Sequence, residues 1–529
     1  MSQLIRKYSD DYAEYMRDES RTTGYAETIS FPKTEEDVRE ILGALAPSKT
    51  SITVQAARTG LAAGAVPFGG HAMNIVRMNR VLGLRKGENG LFYVRVQPGV
   101  ILSQLKKDIE EKRFDTKGWS SESLAALAEF EAASEQFFPT DPTETSACIG
   151  GIVACNASGA RSYLYKSARG HISGVRLMLS DGGIIALRRG CVFAKGRTLE
   201  LPKENGGTLI VPLPSYQMPA TKNASGYYVA DDMDAIDLII GSDGTLGIMT
   251  EIELELLPLP AAIWGVSTFF DSEKKAIHFV QKMREKVSNV AAIEYFDVGA
   301  INILRDQKKT NAAFAQLPDV ESWAACCVYT ELHCHGEESA LEKLYEIGVC
   351  IAESGGDENK TWVARNARDL EQLQFFRHAV PESTNMMIDK RRQIDPAITK
   401  LGADMSVPDE YLEDVVALYR AGLEEYGLES AIWGHIGDNH LHVNILPRDG
   451  ADFKKGKELY AKWARVITDM GGAVSAEHGV GKIKAPFLEV MYGREHIIEM
   501  AKMKYAFDPG FIFGRGNMFP ADVQEEVQL

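Results

Sequence analysis

Roughly three to four folding units fit into 529 residues, and a composition 45% apolar and 25% charged excludes a disordered tract, a collagen-like repeat or a disulfide-stapled miniprotein. Lys and Arg number 58 against 74 Asp and Glu, a net charge of −16 with the wrong sign for neutralising nucleic-acid phosphates. Seven cysteines, at 148, 155, 191, 326, 327, 334 and 350, never form a C-x-x-C pair, so neither a disulfide framework nor a zinc ribbon is implied and a reducing compartment fits.

The first twenty residues are charged throughout, and no run of 18 uncharged apolar residues occurs; the expectation is a cytoplasmic protein, at most peripheral to the inner face of a membrane. Residues 1–30 read as polar and helical. TEEDV, Thr34 to Val38, has the Thr-x-x-Asp form of a capping box and predicts a helix over about 35–46. From Ser51 to Pro258 short β-rich runs (SITVQ, FYVRVQPG, GIIALRR, EIELELLPL) alternate with glycine clusters, and 121–136 reads as a solvent-facing amphipathic helix. ELLPLPAA, with Pro258 and Pro260, marks a domain boundary. Beyond it strands (WGVSTFF, AACCVYTELH, AIWGH, HLHVNIL) alternate with helices (EKKAIHFVQKMREK, SALEKLYEIGVCIAE, DEYLEDVVALYRAGLEEYG), as in an antiparallel sheet covered on one side by helices. His333-Cys334-His335 reads as a solvent-exposed strand end, and a final helix near 492–507 leads to DPGFIFGRGNMF.

Neither G-x-G-x-x-G nor G-x-x-x-x-G-K-[ST] occurs, which removes the usual grounds for a nicotinamide-binding Rossmann unit or a P-loop. Glycine is concentrated elsewhere: Arg58-Thr59-Gly60-Leu61-Ala62-Ala63-Gly64 after SITVQ, Ile149-Gly150-Gly151 and Asn156-Ala157-Ser158-Gly159 around a short apolar run, and GSDGTLGI, Gly241 to Ile248, before TEIELEL. Each alone reads as a tight turn, but small residues also let backbone N–H groups approach an anion closely. In this order they resemble the FAD-binding domain of the vanillyl-alcohol oxidase superfamily, the FAD-linked oxidases, and the likeness runs over roughly residues 25–529 from GYAETISFPKTEEDV. The resemblance implies that Arg58, Thr59, Gly60 and Leu61 wrap the FAD pyrophosphate and that Ile149, Gly150, Gly151, Asn156, Ser158 and Gly159 line the flavin. It also implies that Gly244, Gly247 and Ile248 pack on the cofactor, with Asn517 reaching it from the C-terminal segment. Family members usually carry three glycines before Thr-Gly-Leu where this chain has Ala56-Ala57-Arg58, so Arg58 is expected to point outward or to pair with a phosphate. The loop holds no histidine for a covalent flavin bond, which implies noncovalent FAD.

GHIGDNHLHVN, Gly434 to Asn444, holds three of the eleven histidines. On a strand over 440–445, period two puts His440, His442 and Asn444 on one face and Leu441, Val443 and Ile445 on the core, and the Gly-Asp-Asn turn can fold His435 toward the polar face. SAEHGVGK, Ser475 to Lys482, adds an adjacent carboxylate and imidazole. Two imidazoles and one carboxylate with an open position make the catalytic zinc pattern, which manganese or iron can also use; hydrogen bonding at a sheet edge is the plainer alternative. GH-x-GD, a histidine seven residues after the first and a later E-H-G resemble the metal-dependent 2-hydroxyacid dehydrogenases of that superfamily, the D-lactate, D-2-hydroxyglutarate and glycolate oxidase-like enzymes. That resemblance implies His435, His442 and Glu477 as metal ligands, His478 as catalytic base and Arg377, in FFRHAVPE, as the arginine for the substrate carboxylate. Asn444 shares the ligand face and is a further substrate contact. His440 stands where the branch has Asn, and Asn439 where it has Gly, which makes His440 a substitute candidate ligand.

The expectation is therefore an α+β flavoenzyme: 1–258, N-terminal helices and a two-subdomain FAD-binding domain of the vanillyl-alcohol oxidase type; 259–490, a cap domain with the metal site on an antiparallel sheet; 491–529, a segment returning to the FAD domain. Its substrate is a small anionic D-2-hydroxyacid, D-lactate first and glycolate or D-2-hydroxyglutarate as alternatives, oxidised to the 2-oxoacid. The divalent ion, zinc first, chelates the hydroxyl and carboxylate, His478 takes the proton and hydride moves to flavin N5. Electrons pass on to an electron-transfer flavoprotein, a quinone or an iron–sulfur protein, and the chain forms a homodimer. A metallohydrolase without flavin is the rival class, but it leaves the glycine clusters without purpose. The ether-lipid synthase branch shares HGVGK and has His where this chain has Glu477.

Overall fold

Thr34 starts the first long helix in the manner its sequence suggests. Its Oγ1 accepts from the Asp37 N–H at 3.1 Å while the Asp37 carboxylate accepts from the Thr34 N–H at 3.3 Å, closing the capping box of the helix Glu35–Leu45. The computed structural model in which this is seen describes residues 2–528. That helix supplies the crossover parallel strands require: Thr28–Ser30 and β1 (Ile52–Gln55) both run parallel to His71–Asn74 between them, with Arg6–Lys7 antiparallel at the edge. The expected N-terminal helical run is instead a short strand, a 3₁₀ turn over Asp10–Met16 and a second strand. Aromatic packing overrides the polar pattern here: Tyr15 meets Phe31 edge-on at 5.0 Å, and both lie against Met16, Ile29 and Ala72.

The second sheet is antiparallel and centred on β2 (Ile248–Pro258), which pairs with Phe92–Val96 on one side and Ile172–Met178 on the other. Two short helices, α1 (Ile149–Cys155) and α2 (Ser162–Tyr165), lie between its strands in the chain. The helix Ser121–Ala132 stops before the expected 136, and it is not wholly solvent-facing: Phe130 is fully buried, edge-on to Phe92 at 5.1 Å.

The third sheet is also antiparallel. Its long strands are β3 (Ala262–Phe270), β4 (Val290–Phe296), β5 (Cys326–Cys334), β6 (Ser430–His435) and β7 (His440–Ile445), in the spatial order β3, β5, β4, β6, β7. Along β5 successive side chains enter two different cores. Cys326, Val328 and Leu332 meet α3 (Glu273–Lys286) and the helix Glu337–Glu353, whereas Cys327 and Tyr329 meet α4 (Val298–Thr310) and α5 (Ala367–Ile394). Helices thus cover both faces of this sheet rather than the single face expected, because strands such as AACCVYTEL are apolar at nearly every position.

The α2 turn joins the second sheet's half of the molecule to the third. Arg161 Nε donates to Glu331 Oε1 at 2.6 Å, Ser162 Oγ to Asp438 Oδ2 at 2.6 Å, and the Tyr165 hydroxyl lies 2.7 Å from His333 Nδ1. Because α2 covers that strand end, His333 and Cys334 are buried, against expectation, and only His335 is exposed. Past α6 (Ala485–Phe507), which breaks at Gly493, residues Ile512–Gly514 run beside β1: the Ile52 N–H bonds Ile512 O at 2.6 Å and the Gly514 N–H bonds Ile52 O at 2.9 Å. The buried Lys504 ammonium fixes this segment with three acceptors, Thr245 O, Phe513 O and Asp508 Oδ2, at 2.6, 3.0 and 2.8 Å. Among the described residues no helix is long and apolar enough to cross a membrane.

Candidate active site

Two backbone loops and the helix α1 line one cleft. Thr59, Gly60 and Leu61 follow β1 along one wall, Gly150, Gly151 and Ser158 come from α1 and its end, Gly244 and Gly247 precede β2, and Glu477 and His478 line the same cleft. The walls need small residues: a Cβ on Gly150 would lie 2.6 Å from Pro98 Cβ, and one on Gly481, whose φ is +51°, would lie 2.1 Å from Ala62 O. The backbone at Arg58 is one that suits glycine, since its φ of 63° falls in the left-handed region that disfavours a Cβ. Its guanidinium turns away to stack 4.3 Å from the Tyr15 ring centroid and pair with Glu14 at 3.4 Å. Not every expected cofactor residue faces the cleft. Ile149 and Ile248 lie in the core; Gly159 packs on the Asp141 backbone; Asn156 caps α1 and accepts from the Arg169 N–H. Asn517 clasps two loops, donating to Gly64 O and Asp243 O at 3.1 Å each while accepting from Lys482 Nζ at 2.8 Å.

At the imidazole end, β6 delivers His435, a 3₁₀ turn with Asn439 at φ 50° reverses the chain, and β7 returns His440 directly opposite His435 and His442 opposite Trp433. The period-two alternation holds: Leu441, Val443 and Ile445 enter the core, and His440 and His442 face Glu477. His435 Nε2 lies 3.2 Å from Glu477 Oε2, and His442 Nε2 lies 3.3 Å from Oε1. Ligand-capable atoms of His435, His440, His442 and Glu477 all fall within 4.8 Å of one another. Burial opposes the charge on His435, but Glu294 Oε1, 2.6 Å from its Nδ1, overcomes this and holds its pKa up at about 9. Burial pushes the pKa of His440 and His442 down, so those rings are neutral. The Glu477 carboxyl is buried yet held well below the usual carboxylate range, chiefly by Lys222, whose Nζ is 2.9 Å from Oε2, and by the imidazoles. The donor set suits a divalent ion: imidazoles with one nitrogen each turned inward, an ionised carboxylate, and a wholly buried His440 ring whose two nitrogens have no hydrogen-bond partner.

A second overlapping group, Asp404, His442, Glu477 and His478, is equally close but serves differently. Asp404 is wholly buried and accepts from the N–H groups of Glu477 and His478 at 3.2 and 3.1 Å, from Ser475 Oγ at 3.0 Å and from the Lys484 ammonium. Because both of its oxygens are taken by these donors, Asp404 is an anchor rather than a cation ligand. His478 Nδ1 is 3.3 Å from Asp404 Oδ2, which leaves Nε2 toward the cleft, 3.5 Å from Glu477 Oε1. Arg377, from α5, sits behind the cluster with Nη1 3.9 Å from Glu294 Oε2 and a buried Nε that has no partner. Asn444 is buried and donates to the His442 carbonyl at 3.0 Å.

Sequence reasoning did not single out Glu294, Asp404, Lys222, Lys484 or the Arg161–Glu331 pair. A readable signal existed for two of them: Glu294 in VAAIEYF and Glu331 in CCVYTELHC are charges inside strands otherwise apolar, and a charge so placed requires a partner.

Two family descriptions match the chain: "FAD linked oxidases, C-terminal domain" over residues 259–518, and "FAD binding domain" over 26–123 and 119–188. A D-lactate dehydrogenase of Anaerostipes hadrus is 25% identical over 96% of this chain and 92% of its own length. Glycolate oxidase subunit GlcD of Bacillus subtilis (strain 168) is 24% identical over 95% and 90%, and a D-2-hydroxyglutarate dehydrogenase of Stutzerimonas stutzeri (strain A1501) is 26% identical over 93% and 91%. Among solved structures, 4-ethylphenol oxidase from Gulosibacter chungangensis superposes with a TM-score of 0.66 over 99% of this chain and 95% of that one, at 16% identity, a likeness of fold.

Proposed function

The chain belongs to the FAD-linked oxidases and is an FAD-dependent hydroxyacid dehydrogenase or oxidase, and from that premise we propose that it converts a D-2-hydroxyacid, D-lactate above all, to the 2-oxoacid with a divalent ion, zinc first, in its imidazole cluster. The observation that carries this reading is that Glu477 and His478 line the same cleft as the glycine loops, so a flavin along those loops and a substrate on the cluster would share one cleft.

The residues divide the work. His435, His442 and Glu477 would hold the ion, which supplies a chelating site for the substrate's hydroxyl and carboxylate and lowers the hydroxyl pKa. Thr59 to Leu61, Gly150, Gly151, Gly244 and Gly247 would hold noncovalent FAD, which supplies the hydride acceptor. His478 takes the hydroxyl proton on Nε2, which is aimed by the Nδ1 contact to Asp404. Arg377 offers the substrate carboxylate a guanidinium backed by Glu294, and Asn444 offers an amide on the ligand face. Glycolate and D-2-hydroxyglutarate are the alternative substrates. The division of the chain at 258 and 490, a cytoplasmic location, a homodimer, and an electron-transfer flavoprotein, quinone or iron–sulfur acceptor belong to the same reading.

The test is anaerobic: the purified yellow protein is mixed with D-lactate, L-lactate, glycolate and D-2-hydroxyglutarate, with and without chelator. Bleaching of the flavin by a D-acid, lost on chelation and restored by a divalent ion, supports the reading. A flavin that no hydroxyacid bleaches sinks it.

A further inference from the structure

The three imidazoles of the cluster share one construction. Each has one ring nitrogen turned outward toward an acceptor: His435 Nδ1 lies 2.6 Å from Glu294 Oε1 and His442 Nδ1 3.4 Å from Ala403 O, both hydrogen-bonded, while His440 Nε2 lies 2.9 Å from Asp404 Oδ1 without the geometry of a hydrogen bond. Each turns its other nitrogen inward to Glu477: His435 Nε2 at 3.2 Å, His442 Nε2 at 3.3 Å and His440 Nδ1 at 3.9 Å. In a neutral ring an outward partner of this kind fixes the tautomer and leaves the inward nitrogen as a lone-pair donor, the arrangement in which histidine meets a metal, and an ion at His435 Nε2 would take the place of that ring's second proton. His440 and His442 are two apart on β7 with ring centroids 4.4 Å apart, and His440 is the cross-strand partner of His435, so the backbone delivers all three rings to one point. The inward nitrogen of His440 is wholly buried and bonds nothing among the described residues. A buried ring nitrogen so left is unfavourable unless something outside the chain meets it.

We propose that His440, through Nδ1, is a third imidazole ligand of the ion held by His435, His442 and Glu477. The inference rests on the metal-assisted reading above and goes beyond it, since the dehydrogenases this sequence resembles carry Asn at that place. Four protein donors on a six-coordinate ion leave two positions, the number that the hydroxyl and one carboxylate oxygen of a 2-hydroxyacid fill. Three imidazoles also move the preference from oxygen-favouring ions such as magnesium and manganese toward cobalt, nickel and zinc.

The flavin-loaded enzyme, stripped of metal by chelator and titrated with Co²⁺, tests this. The Co²⁺ protein is expected to show three strongly shifted exchangeable imidazole N–H resonances, from Nδ1–H of His435 and His442 and Nε2–H of His440, and His440→Asn is expected to show two. Co²⁺ affinity should fall at least ~100-fold in that variant, beyond the range that loss of a supporting hydrogen bond produces, with flavin content and unfolding midpoint as the check on folding. Two shifted resonances in the unaltered protein, a reading that needs no variant, overturn the proposal, as does equal Co²⁺ affinity in folded His440→Asn. If the unaltered protein bleaches with D-lactate and shows two resonances, only this inference fails; if it takes up no Co²⁺ at all, the metal-assisted reading fails with it.

Discussion

The two ends of the cleft are built from different materials. The glycine end is made of backbone: the loops 58–64 and 244–247 and the start of α1 at Gly150 and Gly151 line it with small residues, and its strictest requirement is the absence of Cβ atoms. The imidazole end is made of side chains from distant elements, each buried charge matched to a partner: Glu477 to Lys222, Asp404 to Lys484, Glu294 to His435 and Arg377. A site of the first kind is lost by adding atoms, and one of the second kind by removing a single charge. Substitutions at one end should therefore leave the other end's cargo in place.

The largest effect is expected for His478→Ala, which removes the base at the imidazole end and should slow anaerobic flavin reduction by ~10²–10⁴-fold while the protein keeps its flavin absorbance; unchanged turnover would end the assignment. Asp404→Asn leaves the Lys484 ammonium buried without its anion and should cost about 3–5 kcal/mol in a urea titration, with flavin reduction slowed through a misaimed His478. Gly481→Ala places a Cβ against Ala62 O at a residue of positive φ, so flavin content should drop while Co²⁺ uptake persists; loss of both would show that the two ends are not separable.

Asp141 lies beside the α2 turn, 3.7 Å from Arg161 and 2.8 Å from Lys106. Burial alone would raise its carboxyl, but Arg161 and Lys106 bring it down to about 2. Its folded pKa is below the unfolded value near 4, so its contribution of about 2 kcal/mol is complete above that value and is lost as pH falls toward 2. Asp141→Asn should flatten the unfolding free energy over that window, and an unaltered acid slope would exclude Asp141 as its source. Arg58→Gly should be the smallest perturbation, within about 1 kcal/mol, because relief of the positive φ offsets the lost Tyr15 stacking; a flavin affinity changed tenfold would contradict the outward placement of its guanidinium.

What was readable in the sequence follows the same division. TEEDV announced its helix, HLHVNI its alternation, and the glycine loops their turns, because each is a local pattern whose meaning survives without the fold. Lys222, Glu294, Asp404 and Glu477 come from four separate stretches, and Lys222 and Glu477 stand 255 residues apart in the chain, so their pairing exists only once the third sheet has closed against α2. Arg58 was ambiguous because its backbone angle, not its charge, decides where its side chain goes. The N-terminal residues misled for a related reason: Tyr12, Tyr15 and Phe31 act as one aromatic cluster, which no periodic pattern records. His333 looked exposed because the turn that covers it lies more than 160 residues earlier.

That turn carries a last implication. Arg161, Ser162 and Tyr165 are grafted into the strands of the other half through Glu331, Asp438 and His333, while Ile512–Gly514 travels back to lie beside β1. The peptide link at Leu259–Ala261, where Leu259 is exposed, is then not what keeps the halves together. A chain nicked there by a protease should migrate as one particle, still coloured, and come apart only under denaturant.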